Sequence, residues 1–183
     1  MFWVTLALII NHMNNQLPGG ELLVRPASFN DISFIQDIAA KTWPVAYGNI
    51  LSHAQMQYML GLFYSTPALQ QQLSEHHYFY LALLNFEPVG FASFSATAPG
   101  TFKLQKLYVL PGQQKTGTGR LLLLTVEQVA KSMGGEKLQL NVNRANPSLS
   151  FYQRQGFAIV KEEDINIGQG YFMNDYVMEK ALL

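Results

Sequence analysis

Leu107-Tyr108-Val109-Leu110-Pro111-Gly112-Gln113-Gln114-Lys115-Thr116-Gly117-Thr118-Gly119-Arg120 runs from an apolar, β-prone stretch through a glycine-containing loop into a long apolar segment. Residue types in this order make an anion site. Glycines keep side chains away from an approaching phosphate, and the first N–H groups of a helix are unpaired and sit at the positive end of its dipole. Lys115 and Arg120 add charge. Spacing excludes two phosphate loops. Gly112-x-x-x-x-Gly117 is followed by Thr118-Gly119, where a Walker loop needs Lys and Ser/Thr. Gly117-x-Gly119 meets Leu122 where a dinucleotide loop needs a third glycine. What remains is Gln/Arg-x-x-Gly-x-Gly/Ala, present as Gln114 to Gly119, with a ligand-free strand-to-helix turn as the competing reading.

Outward from this loop, residues 102–110 read as the strand that feeds it and 117–133 as the helix that leaves it, closed by Gly134-Gly135. Upstream, 21–25 reads as a first strand. A helix follows the polar residues 28–31, with Ile32, Ile35, Ile38 and Ala39 on one face, and Pro44 is expected to end it. Residues 50–75 read as two helical pieces split at Ser65-Thr66-Pro67, and 78–84 and 89–98 as a hairpin around Asn85-Phe86-Glu87-Pro88. Downstream come a strand at 137–142, a short helix at 147–154, a strand at 157–160 and a last strand at 171–179. This order predicts an α/β or α+β layer architecture, a mixed sheet covered by helices.

The chain has 183 residues, 49% apolar and 13% charged, which fits one globular domain and excludes a disordered chain. Residues 21–183 are expected to form it, and 1–20 an extension. Met1 to Ile10 is apolar but too short to span a bilayer, and no Lys or Arg precedes Arg25 as a secretory signal would want. The extension is an added packing strand, a disordered tail, or the result of a start upstream of Met13. The absence of cysteine excludes disulfides, zinc-thiolate sites and a cysteine nucleophile, and suits a reducing, cytoplasmic setting. Four histidines leave little for a metal. Net charge is zero, but residues 101–161 carry nine Lys/Arg against two acids. A basic segment inside a neutral chain suits one anionic ligand better than nucleic acid.

About 25 residues beyond the loop, Asn143-Arg144-Ala145-Asn146-Pro147-Ser148-Leu149-Ser150-Phe151-Tyr152-Gln153-Arg154-Gln155-Gly156-Phe157 supplies a second motif. Together the two resemble the signatures of the GNAT superfamily of acyl-CoA-dependent N-acetyltransferases, over roughly residues 22–181. The resemblance implies a GNAT fold, a mixed and mostly antiparallel sheet with two splayed parallel central strands and helices on both faces. It implies acetyl-CoA as co-substrate, with no metal. Gln114, Lys115, Thr116, Gly117, Thr118 and Gly119, with Arg120, would wrap the pyrophosphate. The pantetheine arm would lie between 104–110 and 138–143, along the backbone of Leu107, Tyr108 and Val109, where an N–H can stabilise the oxyanion. Asn143 and Asn146 would touch the cofactor, unless they serve only as turn and cap residues. Tyr152 stands at the place of the general acid that protonates the departing thiolate, unless it is a packing aromatic.

No general base declares itself. Many relatives carry a Glu in the first splayed strand, whereas Phe102-Lys103-Leu104-Gln105-Lys106-Leu107 holds no carboxylate. Gln105 could hold a water, and His76 or His77 could titrate near neutrality, though adjacent strand residues point opposite ways. For the acceptor, Trp43, Tyr47 and Tyr58 offer aromatic faces, and Asp175, with Glu162, Glu163 and Asp164, offers carboxylates, a lining suited to cationic amines. The early helices and last strand resemble those of bacterial polyamine acetyltransferases; peptide N-termini, lysines and small antibiotics stay open. The expected function is direct acetyl transfer to a small-molecule primary amine, with no nucleic-acid or membrane partner. A homodimer is left open by the resemblance. The alternative is an acyl-CoA-binding sensor of the same fold without turnover.

Overall fold

The computed structural model describes residues 15–17 and 20–182; the rest of the expected extension, 1–14 included, lies outside the described residues. Eight strands form one sheet in the order β1-β2-β3-β4-β5-β6-β8-β7: β1 Asn15–Leu17, β2 Gly20–Pro26, β3 Tyr78–Leu84, β4 Glu87–Ala98, β5 Thr101–Val109, β6 Lys137–Asn143, β7 Ala158–Gly168 and β8 Tyr171–Ala181. Neighbours run antiparallel except β5 and β6, which are parallel. The sheet is therefore mixed, as the sequence predicts. β1 pairs with the start of β2, so part of the extension does add a strand.

Helices cover both faces because β3 and β4 are apolar on both. Phe79, Leu81 and Phe91 point to one side, where α1 (Ile32–Tyr47), α2 (His53–Tyr64) and α3 (Thr66–Ser74) lay Ile35, Ile38, Met59 and Leu69 against them. Tyr80, Ala82, Ala92 and Phe94 point to the other, against Leu122, Leu123 and Val126 of α4 (Thr118–Ser132). The short α5 (Leu149–Arg154) adds Tyr152 to that second core. Each fully buried Leu, Ile or Phe in these layers contributes about 1.5–3 kcal/mol of transfer free energy. At the entry to α1, Arg25 grips Asp31 through two bonds of 2.7 and 3.0 Å, and the backbone N–H of Ser28 donates to the same carboxylate.

Three local expectations change. α1 runs through Pro44 to Tyr47 rather than stopping there. Proline removes one donor, the one owed to the carbonyl four residues back, but that residue, Ala40, is exposed and water can serve it, while Gly48 N–H donates to Pro44 at 3.0 Å. The strand expected at 157–160 continues to Gly168 and pairs along its length with β8. Its charged run, Lys161 to Asp164, hid the strand because most of β7 is solvent-facing and shows little apolar alternation. The 85–88 turn is tighter than expected, with Asn85 and Phe86 alone at its tip, both at positive φ (50° and 68°) as a two-residue hairpin turn requires.

Candidate active site

β5 and β6 pair only over Thr101–Leu104 and Lys137–Leu140, then separate. A local cause is visible on the other edge of β5. The register against β4 jumps from Leu104 opposite Phe94 to Lys106 opposite Ser93, leaving Gln105 as an extra, bulged residue that bends the strand. The bulge also resets the side-chain alternation. Leu104 faces the α4 core, while Lys106 and Tyr108 face the α1–α3 side and Leu107 and Val109 return to α4. Lys103 and Lys106, three apart, consequently line the same cavity.

The gap between the strands opens into a cleft of about 580 Å³ bounded by β5, β6, α5 and the loop before α4. Gly117, at φ 93°, caps α4 in the left-handed region that favours glycine. The Thr116 hydroxyl bonds the Gln113 carbonyl and the Thr118 hydroxyl, both at 2.8 Å, which fixes the loop. The amides from Lys115 to Arg120 have no carbonyl partner among the described residues, and Leu121 is the first whose N–H turns back, to Gly117 at 2.9 Å. This is a set of donors aimed at an anion, beside the exposed Lys115 and Arg120.

A smaller cavity, about 190 Å³, adjoins it on the α1–α3 side, walled by Trp43, Tyr47, Tyr64, Lys106 and Asp175. Trp43 packs its ring 4.9 Å from Tyr47 and 5.6 Å from Tyr64, and its Nε1 finds no acceptor among the described residues. The hydroxyls of Tyr47 and Tyr108 lie 3.4 Å apart. Burial raises the pKa of Tyr47, Tyr64 and Tyr108, so all three stay neutral at physiological pH. Asp175 is 4% exposed, and burial raises its pKa against the pull of the Asn141 amide, Lys103 and Arg144. The Asn141 Oδ1 is itself buried without a donor among the described residues.

Leu107, Tyr108, Val109, Gln114, Lys115, Gly117, Gly119 and Arg120 all line the larger cleft, as do Asn146 and Tyr152. Thr116 and Thr118 shape the loop from behind. Asn143 lies on the smaller cavity, with its side chain accepting the Ala145 N–H at 3.0 Å, and Asn146 accepts the Ser148 N–H at 2.8 Å. Both asparagines hold the turn into α5. Tyr152 is 9% exposed, its ring 5.2 Å from Phe151 and 6.0 Å from Phe157. Burial first and the nearby Tyr47 second raise its pKa, so the hydroxyl keeps its proton. Trp43, Tyr47 and Asp175 meet in the smaller cavity. Glu162 and Asp164 instead pair with Arg144 along the hairpin, whereas Glu163 pairs with Lys161 and also interacts with Asn141 and Lys103 on the wall of the smaller cavity. Tyr58 ties α2 to the same hairpin by donating to the Ile167 carbonyl at 2.6 Å. Tyr64, Lys106 and Asn141 are among the wall residues that sequence reasoning missed. Among the described residues no three His, Asp or Glu side chains gather as a metal site.

The sequence profile of the acetyltransferase (GNAT) family matches residues 34–157, more than half of the chain. The chain belongs to that family and is an N-acetyltransferase with an acetyl-CoA-binding fold. An uncharacterised N-acetyltransferase of Mycobacterium tuberculosis is 27% identical over 155 residues, covering 84% of this chain and 99% of its own. Among solved structures, PaiA N-acetyltransferase from Thermoplasma acidophilum, in complex with coenzyme A, is 26% identical with a TM-score of 0.75, covering 87% of this chain and 98% of its own. A GCN5-related N-acetyltransferase from Rhodopseudomonas palustris shares the fold at a TM-score of 0.76 and 20% identity, over 92% of this chain and 97% of its own.

Proposed function

We propose that the protein passes the acetyl group of acetyl-CoA directly to a primary amine of a small cationic acceptor of the polyamine class, with Tyr152 as the acid that protonates the departing thiolate. The observation that carries this reading is that the two cavities share a wall. Tyr47, Leu104, Gln105, Lys106, Tyr108 and Asn141 border both, so a thioester in the cleft and an amine in the smaller cavity meet without a covalent relay.

The residues fit their ligands. The amides from Lys115 to Arg120, without a carbonyl partner among the described residues, suit a pyrophosphate, and the splayed edge of β5 leaves backbone groups near Leu107 and Val109 for the pantetheine arm. A preorganised N–H on that edge stabilises the charge that develops on the carbonyl oxygen. Asp175 and the rings of Trp43 and Tyr47 receive an ammonium. Tyr152, kept neutral by burial, holds the proton that the leaving sulfur needs.

The test is CoA release from acetyl-CoA against spermidine, spermine, lysine, a short peptide and a neutral small amine, with acetyl-CoA binding measured in parallel. Turnover concentrated in the polyamines supports the reading. Turnover confined to peptides or to lysine replaces the acceptor class, and tight binding without turnover replaces the enzyme with a sensor.

A further inference from the structure

The wall shared by the two cavities contains an ammonium with no counter-ion among the described residues. Lys106 Nζ donates to Gln72 Oε1 at 2.7 Å and lies 5.5 Å from the Tyr64 ring centroid and 5.8 Å from that of Phe79. Among the described residues its nearest groups are neutral or titrate as a base: Tyr64 on α2, Gln72 on α3, His77 ahead of β3, Phe79 on β3 and Ser93 opposite on β4. Lys103 lines the same cavity from its own strand, and the cavity's carboxylate, Asp175, is coupled to Lys103 and Arg144 instead. A buried charge without a counter-charge is costly and sheds its proton readily.

We infer that Lys106, as the free amine, is the base that takes the proton from the acceptor's ammonium. This rests on the direct-transfer reading above and fills the place left by the missing strand carboxylate. Its position follows from the bulge, because in a regular strand with Gln105 paired in register the side chain would share Leu104's face and point into the α4 core. A cationic acceptor entering the cavity adds like charge and drives Lys106 further towards the free amine. The burial that isolates its ammonium lowers its pKa from 10.5 to about 8, with burial as the only cause.

The protons balance. The acceptor R–NH3+ gives one to Lys106, becomes R–NH2 and attacks the thioester carbon. As the C–N bond forms and the C–S bond breaks, the sulfur gains a proton from Tyr152, and the second proton leaving the nitrogen replaces it on the Tyr152 oxygen. One proton is released overall, from Lys106. His77 offers a route outward: it is partly exposed, its Nδ1 has no partner among the described residues, and burial, then Lys106, lowers its pKa.

The experiment compares wild type, Lys106→Met and Lys106→Arg with two acceptors at pH 7: the best amine found above and an amine already neutral at that pH. Thermal melts confirm folding. For the charged amine, both variants should lose about 10²-fold or more in kcat, the usual weight of a general base, while acetyl-CoA affinity holds. For the neutral amine the loss should fall to a few-fold. Arginine keeps the charge but cannot act as a base, so restoration by Lys106→Arg overturns the inference. So does an equal loss for both amines, or a rise in KM alone for carboxylate-bearing acceptors, which would make Lys106 an anion contact. If no amine is acetylated by wild type, it is the direct-transfer reading that fails.

Discussion

Lys106→Met should make the protein more stable while disabling it. The native state holds the Lys106 ammonium where burial lowers its pKa from 10.5 to about 8. That is between two and three orders of magnitude of lost proton affinity, or about 3 kcal/mol charged against the fold at pH 7. Methionine has similar length and no charge to desolvate, but it leaves the Gln72 carbonyl oxygen without the bond of 2.7 Å it now accepts. Losing that bond costs about 1 kcal/mol, so the net gain is about 2 kcal/mol. In a chain of this length it raises Tm by about 4–8 °C. The sign reverses the familiar one for a lysine in an ion pair. Because the native pKa lies below the unfolded one, the penalty is complete below pH 8 and vanishes as pH rises to 10.5. Urea unfolding of both proteins at pH 7, 9 and 10.5 would show the methionine advantage shrinking along that series. A variant less stable than wild type at pH 7, or an advantage that does not change with pH, would refute the reasoning and mean that the ammonium is solvated or paired.

Three further outcomes follow from the geometry. Tyr152→Phe keeps the ring between Phe151 and Phe157, so it should leave stability and CoA affinity nearly unchanged while lowering kcat by about 10²-fold, read by CoA release. Gly117→Trp puts a bulky side chain at φ 93°, in front of the open amides, and should abolish CoA binding by calorimetry in a protein that still melts cooperatively. Asp31, held by Arg25, has its pKa lowered to about 2, so it contributes about 2 kcal/mol that is fully present above pH 3.8 and lost as pH falls through 2. Asp31→Asn should be less stable by about that amount at pH 7 and equal to wild type near pH 2 in urea titrations.

The features legible in the sequence were those fixed by local chemistry. The loop from Gln114 to Gly119 could be read because its requirements are one-dimensional: a left-handed residue at Gly117, no bulky side chain beside it, and a helix beginning at Thr118. The parallel pair and its splay were implied by resemblance, and the register ending at Leu104 opposite Leu140 agrees. Pairing across strands was harder to read. Whether a side chain in β5 faces α4 or α1–α3 depends on β4, where Ser93 opposes Lys106 and Phe94 opposes Leu104, and nothing within residues 101–109 states that Gln105 is skipped. An uninterrupted period of two would put Leu104 and Lys106 on one face and Lys103 on the other. The skipped residue moves Lys106 into the acceptor wall, which is why the site looked as if it lacked a base. A strand that must break its ladder to admit a thioester bulges there, and the same bulge chooses which side chain meets the amine. Cofactor access and proton acceptance are two consequences of one extra residue in β5. Deleting Gln105 should therefore restore the ladder and close the splay, while Lys106, then next to Leu104, keeps its place on the α1–α3 side. Acetyl-CoA affinity and turnover should fall in parallel, and tight binding surviving the deletion would show that the splay does not depend on the bulge.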